Sequence, residues 1–445
     1  MVGGGVRHDR GFLVWGEFRV GAGYGKGRGY DLHADVCRFL FGYLVVAFVL
    51  LPLYYKLNLT SIYAYLDVRF GKAAYRTGAS FFLLSKMLGA AARLYLVCLI
   101  LQNYVFGSLG VPFEVTASGT VFLIWLYTFR GGIKSLVWTD ALQTLCLVTA
   151  LVLILYQLCR LNDFTVVEAV RHVVESPYGR WIEWDDWTSR QHFVKQFLSG
   201  IFIVIVMTGL DQDMMQKNLT CKNLHDAQKD MCSYGFSFIP LNMLFLGVGV
   251  LLLALASREG IGLPVKGDDI LPLFCAEGHL GNGVLVLFTI GIIAAAFSSA
   301  DSALTALTTS FCVDILDVER RFTRPEAVRK KVHGVIALLF VGFILCFEAV
   351  NDSSVIDAIY VVASYTYGPL LGLFAFGMFT RRKLWLAAVP WICVAAPMGC
   401  YLLDAWTVSA YGYRFGYELL MLNGLFTFVG LYAFSKAYSP DMDKR

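Results

Sequence analysis

Between residues 294 and 310 the chain reads AAAFSSADSALTALTTS. Ser298, Ser299, Asp301, Ser302, Thr305, Thr308 and Thr309 are crowded there into about four helical turns. Positions 295, 298, 299 and 302 recur at three and four residues, so one helical face offers hydroxyl oxygens and, at Ala295, a backbone carbonyl. Hydroxyls and carbonyls are hard, weakly charged ligands, the set that suits sodium. Small residues also permit close helix packing, which by itself is the commoner use of such a face. Two cations, Lys86 and Arg93, lie seven residues apart on one face of another apolar stretch. Arg93 falls near the middle of that stretch and could hold a carboxylate with its planar fork, or pair with an acid of another helix. For Lys86 the reading is structural, either a buried pair with a carboxylate or a head that reaches to the interface. Asp140 opens a further apolar run, where it could cap a helix or face a cation, and Asp301 lies within the serine-rich run.

These residues need a bilayer around them to be unusual, and the composition supplies it. Of the 445 residues 57% are apolar, only 16% are charged, and mean hydropathy is +0.62. A soluble chain carries about 25% charged residues. Eleven runs are long enough to cross or nearly cross a membrane as helix: 39–55, 79–107, 114–129, 137–159, 196–210, 233–256, 282–312, 333–350, 355–379, 384–403 and 417–435. The chain is therefore expected to be an all-α polytopic membrane protein of about eleven transmembrane helices.

Basic residues test that assignment, since they collect in short loops on the cytoplasmic side. The loops 56–77, 130–136, 211–232, 313–332, 380–383 and the tail 436–445 carry 21 Lys and Arg, against 8 in the alternate set. The cluster Arg320, Arg321, Arg324, Arg329, Lys330 and Lys331 marks the inner face, which places the carboxyl terminus in the cytoplasm. Residues 1–38 break the pattern. They hold Arg7, Arg10, Arg19, Lys26, Arg28 and Arg38 against four acids, are rich in glycine, and lack the apolar core of a signal peptide. Three units follow: an atypical arm at 1–38, a transmembrane domain at 39–435 and a tail at 436–445.

Between spans, residues 160–195 carry an apolar stretch at Val166–Val174, expected as a short surface helix, and the interfacial trio Trp181, Trp184 and Trp187. The net charge of +4 is too even for nucleic-acid binding. Eleven scattered cysteines give no zinc or disulfide pattern. No nucleophile with a histidine base and no phosphate-cradling loop accompanies the acids, so a cation pathway is favoured over an enzyme.

Four segments carry a resemblance. GGIKSLVWTDALQ (131–143), GLDQDMMQKNLTCKN (209–223), AAFSSADSALTALTTSFCVDIL (295–316) and YGPLLGLFAFGMF (367–379) resemble, in order, elements of the sodium:solute symporter family, with Lys217 where that family has arginine. The resemblance implies a leucine-transporter-like fold of two inverted five-helix repeats. It implies sodium as coupling ion, held by the Ala295 carbonyl and the hydroxyls of Ser298 and Ser299. It implies a second sodium position at Asp140, Ser298, Asp301 and Ser302. It also supports Arg93 as a substrate residue, since relatives that carry carboxylated sugars place an arginine on the same helix. The implied activity is sodium-coupled import of a small organic solute, with an anionic solute as one reading, by alternating access across the plasma membrane, with solute, sodium and lipid as partners and neither nucleic acid nor an obligate protein. Two helices that the family places before residue 39 have no counterpart, so an N-terminally incomplete member is expected. A transport-defective fragment and a solute-sensing module on the same scaffold are the alternatives.

Overall fold

The structure is a computed structural model that describes residues 32–57, 61–176, 192–219, 221–263, 270–276, 278–350 and 355–436. Most of the arm, the tryptophan trio and most of the tail lie outside the described residues, as do the side chains of 130–142, Asp140 included, and of Lys217.

Helices account for nearly all of it. They are α1 (Leu32–Val45), α2 (Leu51–Leu57), α3 (Ala64–Arg69), α4 (Lys72–Leu101), α5 (Phe113–Leu161), α6 (Val166–Glu175), α7 (Phe193–Val204) and α8 (Gln212–Leu219). After them come α9 (Leu224–Glu259), α10 (Ile270–Ala276), α11 (Asn282–Ser310), α12 (Val318–Arg321), α13 (Pro325–Val350), α14 (Val355–Phe379), α15 (Val389–Tyr411) and α16 (Leu419–Ala433). A two-residue antiparallel pairing joins Lys383–Leu384 to Ser435–Lys436. Among the described residues eight helices are long and apolar enough to cross a membrane and three more are shorter and apolar. Each overlaps one of the eleven expected spans. The surface helix expected at 166–174 is α6, whose start is a capping box between Thr165 and Glu168.

Helix α5 covers two of the expected spans, 114–129 and 137–159, in one run of 49 residues. At about 1.5 Å per residue that run would measure about 73 Å, more than twice a bilayer core of about 30 Å. The contacts show that it reverses. Phe113 packs on Tyr95 and Thr128 bonds His333, so the first half descends beside α13 from the level of Phe347, which also stacks on Tyr95. His333 also bonds Thr308. The second half then climbs beside α11, with Leu147 against Gly291 and Gln157 against Gly281. Two antiparallel spans are present, and the chain reverses between Thr128 and Leu147.

Helix α4 holds the bundle together. Its first part, through Phe82, packs in one apolar cluster with α1, α3, α14 and α16. From Met87 onward it packs in another with α5, α9, α11 and α13. Lys86 lies at the seam. Close contact is made possible by small residues: Gly368 and Gly372 on α14 lie against Asn423 and Thr427 on α16, where a Cβ would come within 2.3 and 2.4 Å.

Candidate functional site

The span that begins with α7 ends in a π turn, Ile205–Gly209, and the helix breaks at Leu210–Asp211 before α8 begins. Such turns free backbone carbonyls, and here the side chains around them take the freed groups up. Tyr54 donates to the Gly209 carbonyl at 2.9 Å and Tyr63 to that of Leu210 at 2.8 Å. Gln212 accepts from the Ile62 amide at 2.8 Å. The break is thus buried, with its Gly209 and Leu210 carbonyls bonded by tyrosine hydroxyls.

It presents two carboxylates to the seam in α4. Lys86 Nζ lies 3.1 Å from Asp211 Oδ2 and 3.0 Å from Asp213 Oδ2, with all three side chains buried. Tyr367 of α14 donates to Asp211 at 3.2 Å, and Ser302 of α11 donates to Asp213 at 3.3 Å. Backbone amides of Asp213 and Met214 cap Asp211 Oδ1. Four elements therefore converge on one ammonium. Two carboxylates share it, a charge excess that the hydroxyls and amides offset.

Lys86 is a buried pair and not an interfacial head, the first of its two sequence readings. Arg93 stands two turns further along, half-buried beside Gly89 and close enough to interact electrostatically with Lys86 and Tyr367. Ala295, Ser298, Asp301 and Ser302 are buried, Ser298 and Asp301 completely, while Ser299 is half-buried. Ser302 is thereby joined to the lysine cluster, a link that spacing alone did not give. Asp140 is placed by its backbone only. The second half of α5 and α11 run antiparallel, and stepping back from the pairs 157 with 281 and 147 with 291 brings position 140 to the level of Ser298.

Asp211, Asp213 and Tyr367 were not read as site residues. The available signal was a pair of acids directly after an apolar run that ends in glycine.

The profile described as "Sodium:solute symporter family" matches residues 16–384, starting inside the arm. The chain belongs to the sodium:solute symporter family. It is 27% identical over 348 residues to the sodium/sialic acid symporter NanT of Aliivibrio fischeri, covering 76% of this chain and 67% of that one. It is 26% identical over 364 residues to the sodium/sialic acid symporter SiaT of Proteus mirabilis, covering 79% and 71%. It spans about half, 54%, of the sodium-dependent multivitamin transporter of Oryctolagus cuniculus. A sodium-coupled sialic acid symporter solved substrate-bound and outward-open superposes with TM-score 0.75 at 20% identity, over 98% of this chain and 92% of that one. A nucleobase-cation-symport-1 transporter in a closed conformation follows at TM-score 0.54 and 13% identity, over 96% and 89%. The fold is the leucine-transporter-like inverted repeat. This symporter family member is a multi-pass membrane protein, sodium is its coupling ion, and it is a transporter and not an enzyme.

Proposed function

We propose that the chain couples inward sodium movement to import of a small carboxylated solute, with a sugar acid of the sialic acid kind as the leading class. The observation that carries this is the buried, oxygen-rich face of α11, with Ser298 and Asp301 fully enclosed in a helix that faces both α4 and α5. Ala295, Ser298 and Ser299 hold the principal sodium in this reading. Asp140, Ser298, Asp301 and Ser302 hold a second, nearer the cytoplasm. Arg93 receives the solute carboxylate. Lys86 is occupied by two carboxylates, so the division of labour on α4 is one structural cation and one that meets the solute. Relatives named for sialic acid, iodide and monocarboxylate all carry anions, which agrees with a cationic receptor.

Sodium supplies the driving force. One inward charge gains about 2.3 kcal/mol per 100 mV. Ion and solute raise each other's affinity through the state that both prefer. The carboxyl terminus is cytoplasmic on the charge count and 436–445 form a tail; residues 32–38, read from sequence as part of the arm, belong to α1, where Arg38 donates to the Gln196 carbonyl.

Reconstituted in proteoliposomes, the full chain should accumulate radiolabelled sialic acid under an inward sodium gradient and lose that uptake in choline. Equal uptake in both would reject sodium coupling. Sodium-driven currents with no sialic acid uptake would reject the solute class alone.

A further inference from the structure

The first half of α5 and the start of α13 run side by side in opposite directions. Lys330 Nζ sits 5.3 Å from the centre of the Phe129 ring, His333 bonds Thr128, and a Cβ added to Gly334 would stand 3.8 Å from Trp125 Nε1. Along this seam Phe122, Trp125 and Phe129 form a ladder of rings, with centroids 5.9 and 5.4 Å apart, and the two phenylalanines are exposed. On α13, Gly334 and Leu338 follow Lys330 at four-residue steps, so they continue its face. Gly334 adds no side chain there and Leu338 is 73% exposed, which leaves a shallow apolar groove beside the rings. One end of the groove runs into charge. From Arg320 to Lys331 the chain holds six basic residues and one acid, Glu326. Arg329 is bound to Glu319 at 2.8 Å, while Arg320, Arg321, Arg324, Lys330 and Lys331 are exposed, with the exposed ring of Phe322 among them.

We propose that this seam binds one anionic phospholipid, its phosphate at Lys330 and Lys331 and an acyl chain along the rings of Phe122, Trp125 and Phe129. Charge complementarity selects the headgroup, because a cluster of basic side chains next to a membrane helix attracts anionic lipid and not zwitterionic lipid. The Phe129 ring holds the Lys330 ammonium at the mouth of the groove. Depth selects a lipid over a soluble phosphate: aromatic rings continue from the charged end into the apolar span, where only a chain can follow. Phe322 enters the headgroup layer between its arginines. On the charge count the leaflet is the cytoplasmic one. The bound lipid ties α5 to α13 beside His333, which itself links both to α11 through Thr308. The site lies apart from the residues proposed for sodium and solute, and its test does not depend on them.

The test is native mass spectrometry and thermal midpoint on the full chain in detergent, titrated with phosphatidylglycerol, with phosphatidylcholine of the same chains, and with glycerol phosphate. Phosphatidylglycerol should bind more tightly than phosphatidylcholine and alone raise the midpoint. Lys330→Gln should weaken phosphatidylglycerol about fivefold, the effect of one basic side chain at an anionic surface, and leave phosphatidylcholine unchanged. Gly334→Leu fills the groove and should weaken both lipids; Leu338→Ala, at an exposed position, reads the same contact where the larger change prevents folding. Lys436→Gln, just beyond α16 in the other apolar cluster, should alter neither lipid. Equal binding of the two lipids would overturn the proposal, as would parent affinity in Lys330→Gln or an equal loss in Lys436→Gln. A midpoint raised as far by glycerol phosphate as by phosphatidylglycerol would replace the lipid with a soluble phosphate.

Discussion

Lys86 and Asp213 meet at 3.0 Å across 127 residues of sequence, with Asp211 on the other side of the same ammonium. The pair joins the break before α8 to the middle of α4, and through Ser302 it reaches the oxygen-rich face of α11. Removing one partner of a buried ion pair strands the other, at about 3–5 kcal/mol. Lys86→Met should therefore lower the detergent thermal midpoint sharply and reduce the monodisperse fraction. Adding Asp211→Asn and Asp213→Asn should recover much of the loss. A single Lys86→Met variant with an unchanged midpoint would show that the cluster contributes little to stability.

The Arg93 assignment separates charge from shape. Arg93→Lys keeps the cation but loses the two-pronged geometry that a carboxylate prefers. Solute KM should rise on the order of tenfold with sodium affinity near that of the parent. Arg93→Ala should abolish measurable binding of a carboxylated solute. Equal solute KM in all three proteins would remove Arg93 from the solute site.

Gly291 allows α5 and α11 to approach, because any Cβ there would come within 2.9 Å of Leu147. Gly291→Val should cost about 1–3 kcal/mol through overpacking. It should also weaken sodium dependence of uptake, as the ion-facing helices part. A wild-type midpoint and sodium profile would contradict the register.

Helix α6 offers a pH test outside the membrane. The Thr165 backbone amide and then its hydroxyl donate to Glu168, which holds that carboxyl below its usual range. A depressed folded value means the stabilisation is present above the unfolded carboxylate value and is lost as pH falls through the folded one. Amide exchange of residues 166–175 should therefore speed up relative to the membrane helices only below the ordinary carboxylate range. Glu168→Gln should remove that dependence. Equal acid sensitivity in both would refute the capping account.

Much of this was legible in the sequence because bilayer insertion is a local, compositional property. Each of the eleven apolar runs overlaps a long or shorter apolar helical segment, and the charge at Lys86 was readable as a pair before its partner was known. Asp211 and Asp213 were not, since a contact over 125 and 127 residues leaves no local spacing. The reversal inside α5 falls where the charged, glycine-containing stretch 130–136 separates two apolar runs.

In the proposed cycle the serine-lined face of α11 takes up sodium in place of water. Isothermal titration of the purified full chain with NaCl against KCl tests it most directly, together with Ser298→Ala, Ser299→Ala. The account predicts saturable heat with NaCl, none above dilution with KCl, and loss of the sodium signal in the double variant. Identical traces for both salts, or a sodium signal that survives the double substitution, would contradict it.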